Sequence, residues 1–136
     1  MYLVYQPEGS EEPQRWKYNP KKLMSAEREM LERRTGKNFT EFTQDVMKGN
    51  SLCRRALLFM YLKRVHPGVK YEDVDFAWDE LTLEHSKGEL REMRKSVVDS
   101  VPAAQLDAVL AKLDEEIDEA FEDPDEQGKA SLPIAG

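Results

Sequence analysis

Residues 51–68 read SLCRRALLFMYLKRVHPG. The apolar run from Ala56 to Leu62 is unbroken. Lys63-Arg64 closes it, and Pro67-Gly68 stops the chain from continuing as a helix. Leu52, Ala56, Leu57, Met60 and Tyr61 follow the three- and four-residue steps of one helical face, while Leu58, Phe59 and Leu62 fill others. A helix that is apolar around most of its circumference must be enclosed by its neighbours. The stretch therefore predicts the central, most enclosed helix of a mainly α fold. Its seven apolar residues are far fewer than the roughly 18–20 a membrane span requires.

Helical punctuation continues on the N-terminal side. Phe39, Phe42, Val46 and Met47 predict a short helix over about 39–48, capped by Asn38 or Thr40 and stopped at Gly49. A basic helix precedes it, with Ser25 as its expected N-cap and Gly36 just past its end; Arg28 stands where a capping box would place Glu. Tyr2–Tyr5 and Arg15–Tyr18 favour β structure and flank a segment rich in turn formers, Pro7 to Pro13, which predicts a hairpin.

On the C-terminal side, Asp75 is the expected cap of a helix through Phe76, Trp78, Leu81 and Leu83. Another helix is expected around Glu89–Val98. A last one begins after Pro102, with an apolar stripe of Leu106, Val109, Leu110, Leu113, Ile117 and Phe121. Acidic residues crowd the end of this stripe and oppose the helix dipole, so fraying is expected from about Asp118. These readings predict a single mainly α domain of about five helices over residues 1–122. It comprises a short N-terminal β-hairpin (1–20), a helical core (25–84) and C-terminal helices (87–122), followed by a disordered acidic tail (123–136).

The chain has 136 residues, enough for one domain with a real core. Charged residues make up 35%, against about 25% in an average domain, which predicts wide solvated faces. The net charge of −7 is unevenly spread: Arg15 to Lys37 holds eight basic residues and three acidic ones, whereas Asp114 to Glu126 holds nine acidic residues and no basic one. This allows an electrostatic choice of partners as well as a plain solvated face. The single Cys53 leaves no internal disulfide and fits a reducing compartment. Tyr2-Leu3-Val4-Tyr5 followed by Pro7 has no signal-peptide pattern.

Little in the chain points to catalysis. Cys53 and His66 lie thirteen residues apart, or about 20 Å along a helix, far beyond hydrogen-bond reach. Neither His66 nor His85 belongs to a cluster with metal-ligand spacing. Asp73 with Asp75, Glu80 with Glu84, and Asp114 with Asp118 lack the glycine turn or histidine that would make them a metal or acid–base site. The glycines punctuate helices and turns and form no phosphate loop. The expectation is a protein that is not an enzyme, with no catalytic, cofactor or metal residues. Basic residues beside Trp16, Tyr18 and Phe39 admit a second reading, a small regulatory nucleic-acid-binding protein using residues 15–37. The negative net charge weighs against it.

An ordered set of features spans residues 15–84. It runs from Trp16-x-Tyr18-x-Pro20 and Leu23 to Glu29-x-x-x-Arg33-x-Thr35-Gly36, Phe39-x-x-Phe42 and Gly49-Asn50-Ser51. Arg55-Ala56-Leu57-Leu58-Phe59, Leu62-x-Arg64 and Pro67 follow, then Asp73-Val74-Asp75-Phe76 and Glu80-Leu81. In order and spacing this stretch resembles the tail assembly chaperones of long-tailed double-stranded DNA bacteriophages. The C-terminal third is similar only in character. The resemblance implies a non-enzymatic protein of the host cell cytoplasm, absent from the mature virion. Its implied partners are the tape measure protein, whose helices it keeps soluble, and tail tube subunits, which it helps recruit. It also implies a longer frameshifted form of the chain; Gln127-Gly128-Lys129 is a tripeptide that a slippery sequence can encode. A homo-oligomer is compatible with this role, and no membrane is involved. The partner-binding residues expected on this reading are Phe42, Met47, Phe59, Tyr61 and Trp78 in a groove, with Leu110, Leu113, Ile117 and Phe121 on the last helix. The same side chains serve equally well as core.

Overall fold

The computed structural model describes residues 1–126. The chain is mainly helical, with a short N-terminal antiparallel strand pair. In order, its elements are β1 (Tyr2–Tyr5), β2 (Gln14–Lys17), a 3-10 turn (Pro20–Lys22), α1 (Ser25–Thr35), α2 (Phe39–Met47) and α3 (Ser51–Val65). Two further 3-10 turns follow, Tyr71–Asp73 and Trp78–Glu80, and then β3 (Leu81–Glu84), α4 (Lys87–Ser100) and α5 (Ala103–Glu119). The contacts group into two compact units, one formed by residues 3–83 and the other by residues 1–2 with, among the described residues, 84–126.

In the first unit, α3 is the enclosed element that its sequence predicts. Cys53 and the whole run Ala56–Tyr61 are buried. They meet Leu31 of α1, Phe42 and Val46 of α2, Leu3 of β1, Leu81 of β3 and the loop residue Val74 in one core. Each such large apolar side chain contributes about 1.5–3 kcal/mol when fully buried. Tyr61 enters this core with its hydroxyl donating to the Lys17 carbonyl at 3.2 Å, and the Trp16 ring stacks on it at 5.6 Å.

The joints follow the expected chemistry. Gly36 ends α1 at φ +70°, and Gly49 sits after α2 at φ +86°, both in the left-handed region that glycine adopts without penalty. Asn38 caps α2 by accepting from the Glu41 N–H at 2.8 Å, and Asn50 caps α3 by accepting from the Cys53 N–H at 3.0 Å. Glu32 also accepts from the Phe39 N–H at 2.9 Å, tying α1 to the start of α2. The expected cap of α1 is displaced by one residue. Met24 holds the N-cap position in extended geometry without a side-chain bond, and Ser25 is the first helical residue. Burial of Leu23 brings the extended chain in at that point.

The helix expected over Asp75–Leu83 does not form. Trp78–Glu80 is one 3-10 turn, and Leu81–Glu84 is a strand that completes a sheet of order β2-β1-β3. The Gln6 N–H donates to the Glu80 carbonyl at 2.9 Å at the edge of this pairing. Leu81 and Leu83 alternate with polar residues, a period of two that a loose helical spacing also contains. Pairing with β1 decides between them. The 25–84 segment is therefore helical only as far as Val65 apart from single 3-10 turns.

In the second unit, α4 and α5 run antiparallel, with Arg94 bonded to Asp114 at 2.8 Å and the Lys87 N–H donating to the Phe121 carbonyl at 2.8 Å. Ser86 caps α4 in a reciprocal box with Glu89. Beyond α5 the Glu126 carboxylate accepts from Ser86 Oγ and from the Tyr2 hydroxyl, both at 3.0 Å. The Tyr2 hydroxyl also bonds Asp123, and its ring meets Phe121 edge-on at 5.1 Å. The segment expected to be loose from Asp123 is thus held through Glu126; the rest of the expected tail, 127–136, lies outside the described residues. α5 continues to Glu119, one residue past the expected onset of fraying.

Candidate functional site

The structure separates the nine expected partner-binding residues into distinct environments. Phe42, Phe59 and Tyr61 are buried in the first unit's core, and burial pushes the Tyr61 phenol up to about 12. Leu113 is buried within the second unit, and Leu110, Ile117 and Phe121 are half-buried. Met47 and Trp78 alone are open, at 52% and 69% exposure. Core and groove recruit the same residue types, which is why sequence alone does not sort them.

Trp78 lies at the mouth of a groove of about 340 Å³ lined by Ser51, Leu52, Arg55, Tyr71, Asp75, Phe76 and Trp78. Leu52 faces out from the first turn of α3, 44% exposed. One turn later Arg55 pins the opposite wall, its Nε donating to the Val74 carbonyl at 2.6 Å and its Nη2 to the Tyr71 carbonyl at 3.1 Å. Val74 is buried and anchors the same loop. Glu80 holds the Trp78 turn by accepting from the Ala77 and Glu8 N–H groups, each at 2.6 Å. The Ala77 bond, then the Glu8 bond, keeps its carboxyl below the usual range. The indole is seated over Gly49, where a Cβ would come within 2.6 Å of the ring, and the Arg54 guanidinium lies 5.6 Å from the ring centre. Burial of the Arg54 stem lowers its guanidinium pKa, and Arg54 Nε donates to the Val46 carbonyl at 3.0 Å.

The aromatic residues of the basic segment are otherwise engaged. Tyr18 is buried, Trp16 stacks on Tyr61, and Phe39 stacks on Phe42 at 5.8 Å. Two shallower hollows flank α1, one of about 250 Å³ beside Met30, Met60 and Arg64, the other of about 620 Å³ beside Pro20, Arg28 and Phe39.

Sequence reasoning did not single out Leu52, Phe76, Arg55 or Tyr71 as groove residues. A signal was present for Leu52, which falls in the capped first turn of α3, where a helix end has fewer neighbours. None existed for Arg55, whose role depends on a loop nineteen residues away. Cys53 is buried with its thiol pushed up by burial, and His66 is exposed at the far end of α3, so the two do not form a reactive pair. Among the described residues no three His, Cys, Asp or Glu side chains converge as metal ligands, and no helix is long and apolar enough to cross a membrane. Comparison of the chain with protein-family models, curated proteins and solved structures gave no match.

Proposed function

We propose that this chain is a tail assembly chaperone of a long-tailed double-stranded DNA bacteriophage. On this reading it binds the tape measure protein in the host cytoplasm, keeps its helices from aggregating and helps recruit tail tube subunits. It then leaves before the virion is complete. A longer frameshifted form would carry the same first unit and a different C-terminus. The resemblance over residues 15–84 motivates the proposal. The observation that carries it is the open groove of mixed polar and apolar lining, with Trp78 seated over Gly49 rather than buried. An exposed tryptophan beside Leu52 and Phe76, on a rigid capped scaffold, suits the apolar face of a partner helix.

Co-expression with the tape measure protein tests the reading. The partner is expected to stay soluble and to co-purify with the full chain. Trp78→Ala is expected to reduce the yield of complex while leaving helical content unchanged. If the tape measure protein aggregates equally with and without the chain, and none co-purifies, the reading fails. The nucleic-acid reading has less support, because the rings beside the basic residues are buried or stacked within the fold.

A further inference from the structure

The groove, with Leu52, Phe76 and Trp78 as its apolar wall, runs into an array of cations held on aromatic rings. Arg55 and Tyr71 line the groove beside Leu52, Phe76 and Trp78. The Arg55 guanidinium lies 4.4 Å from the centre of the Tyr71 ring, and that of Arg34, from the last turn of α1, lies 4.3 Å from the same centre. Arg34 also lies 4.7 Å from the Phe59 ring, with Lys63 5.6 Å from that ring. Phe59 and Tyr71 meet edge to face at 5.4 Å.

Among the described residues, neither Arg34 nor Lys63 has a carboxylate partner, and Arg55 spends its bonds on two backbone carbonyls. The one carboxylate lining the groove, Asp75, accepts from the Phe76 N–H at 2.9 Å. The two guanidinium groups share a ring and so lie within roughly 9 Å of each other, about a Debye length at 0.1 M salt. Stacking on the Tyr71 and Phe59 rings orders the Arg34 guanidinium without occupying its N–H groups, so little freedom is lost when it binds an anion.

We propose that this groove binds an amphipathic helix of a partner protein that carries Asp or Glu beside its apolar face. The apolar side chains enter between Leu52, Phe76 and Trp78, and the carboxylates meet Arg34 and Arg55. The continuity of apolar wall and cationic array favours a peptide side-chain pattern over a phosphate backbone, which offers no apolar face and which a chain of net charge −7 repels. The inference rests on the chaperone reading only in taking the partner to be helical.

The test uses the full chain and two labelled synthetic helical peptides with the same Leu/Phe face. One is flanked by Glu, the other by Lys, and binding is read by fluorescence anisotropy. The net charge of the chain favours the Lys peptide, so a preference for the Glu peptide must come from local geometry. The expected result at about 0.1 M salt is a preference for the Glu peptide of at least about tenfold. The preference should shrink several-fold at about 0.5 M salt and in Arg34→Gln, an exposed helix position whose replacement is expected to leave the circular dichroism spectrum unchanged. Trp78→Ala should weaken both peptides alike. Equal binding of the two peptides, a preference for the Lys peptide, a preference unaffected by Arg34→Gln, or no binding of either overturns the inference. Any of these outcomes alongside a co-purifying tape measure protein removes the inference and leaves the chaperone reading standing. A selective Glu peptide without such a complex does the reverse.

Discussion

Replacing Gly49 by Ala separates two costs that the structure places at one residue. Gly49 has φ +86°, and an added Cβ would lie 2.6 Å from Cη2 of Trp78, with Cζ3 and Cζ2 at 3.4 and 3.7 Å. The left-handed backbone alone costs an alanine about 1–2 kcal/mol. The indole is 69% exposed, so it tips away more easily than the backbone moves. Tipping forfeits its contact with residue 49 and its place near the Arg54 guanidinium, together about 0.5–1 kcal/mol. Gly36 supplies the control: its φ is +70°, but an added Cβ would meet no atom within 4 Å. Urea unfolding followed by far-ultraviolet circular dichroism is expected to show Gly49→Ala more destabilising than Gly36→Ala by that about 0.5–1 kcal/mol difference. In a Trp78→Ala background the excess should vanish, leaving the backbone cost. An excess of the same size with and without Trp78 would refute the idea that the indole is seated on this joint.

Further predictions concern the rest of the first unit. Phe42→Ala is expected to cost about 3–5 kcal/mol in urea unfolding, because its ring is fully buried. Trp78→Ala should cost under about 1 kcal/mol, so a comparable loss for both would contradict the assignment of core and groove. Arg64 bonds Glu27 through Nε and Nη2, both at 2.7 Å, and the hydrogen bond from Arg64 holds the Glu27 carboxyl below its ordinary range. Its folded value is lowered, so its stabilising contribution is complete above the ordinary glutamate pKa and is lost as pH falls through the folded one. Arg64→Gln should therefore destabilise by about 0.5–1 kcal/mol more at pH 7 than at pH values below both, where only the contact of the guanidinium with the Tyr61 ring is lost. Unfolding curves measured at the two extremes check the sign. Cys53 is buried with a raised thiol pKa, so Ellman's reagent should leave the native chain unmodified and react fully only in denaturant.

The parts of the fold that sequence made legible are those with local causes. α2 and α3 announce themselves through Asn38 and Asn50, through glycines suited to positive φ, and through an apolar run too continuous for a surface helix. β3 does not, because the evidence for it lies across the sheet: the Glu80 carbonyl finds its donor at Gln6. The groove was half legible for the same reason. Of the five residues expected there only Trp78 lines it; Met47 is exposed outside it, and Phe42, Phe59 and Tyr61 share the same chemistry but are enclosed by their neighbours. The anchoring of Asp123 and Glu126 depends on Tyr2 and Ser86, so a charge count over the acidic segment does not reveal it.

The position of β1 between β2 and β3 has a kinetic consequence. β1 is made first, and β2 can pair with it as soon as the hairpin turn is complete. Its other edge waits for a strand whose first residue is Leu81. Until then an unpaired edge coexists with the emerging apolar run of α3, a combination prone to association with other chains. The final pairing closes a long loop, and loops of this length slow folding more than they weaken the product. On the ribosome, the native sheet is therefore complete only after the most aggregation-prone helix has already been synthesised.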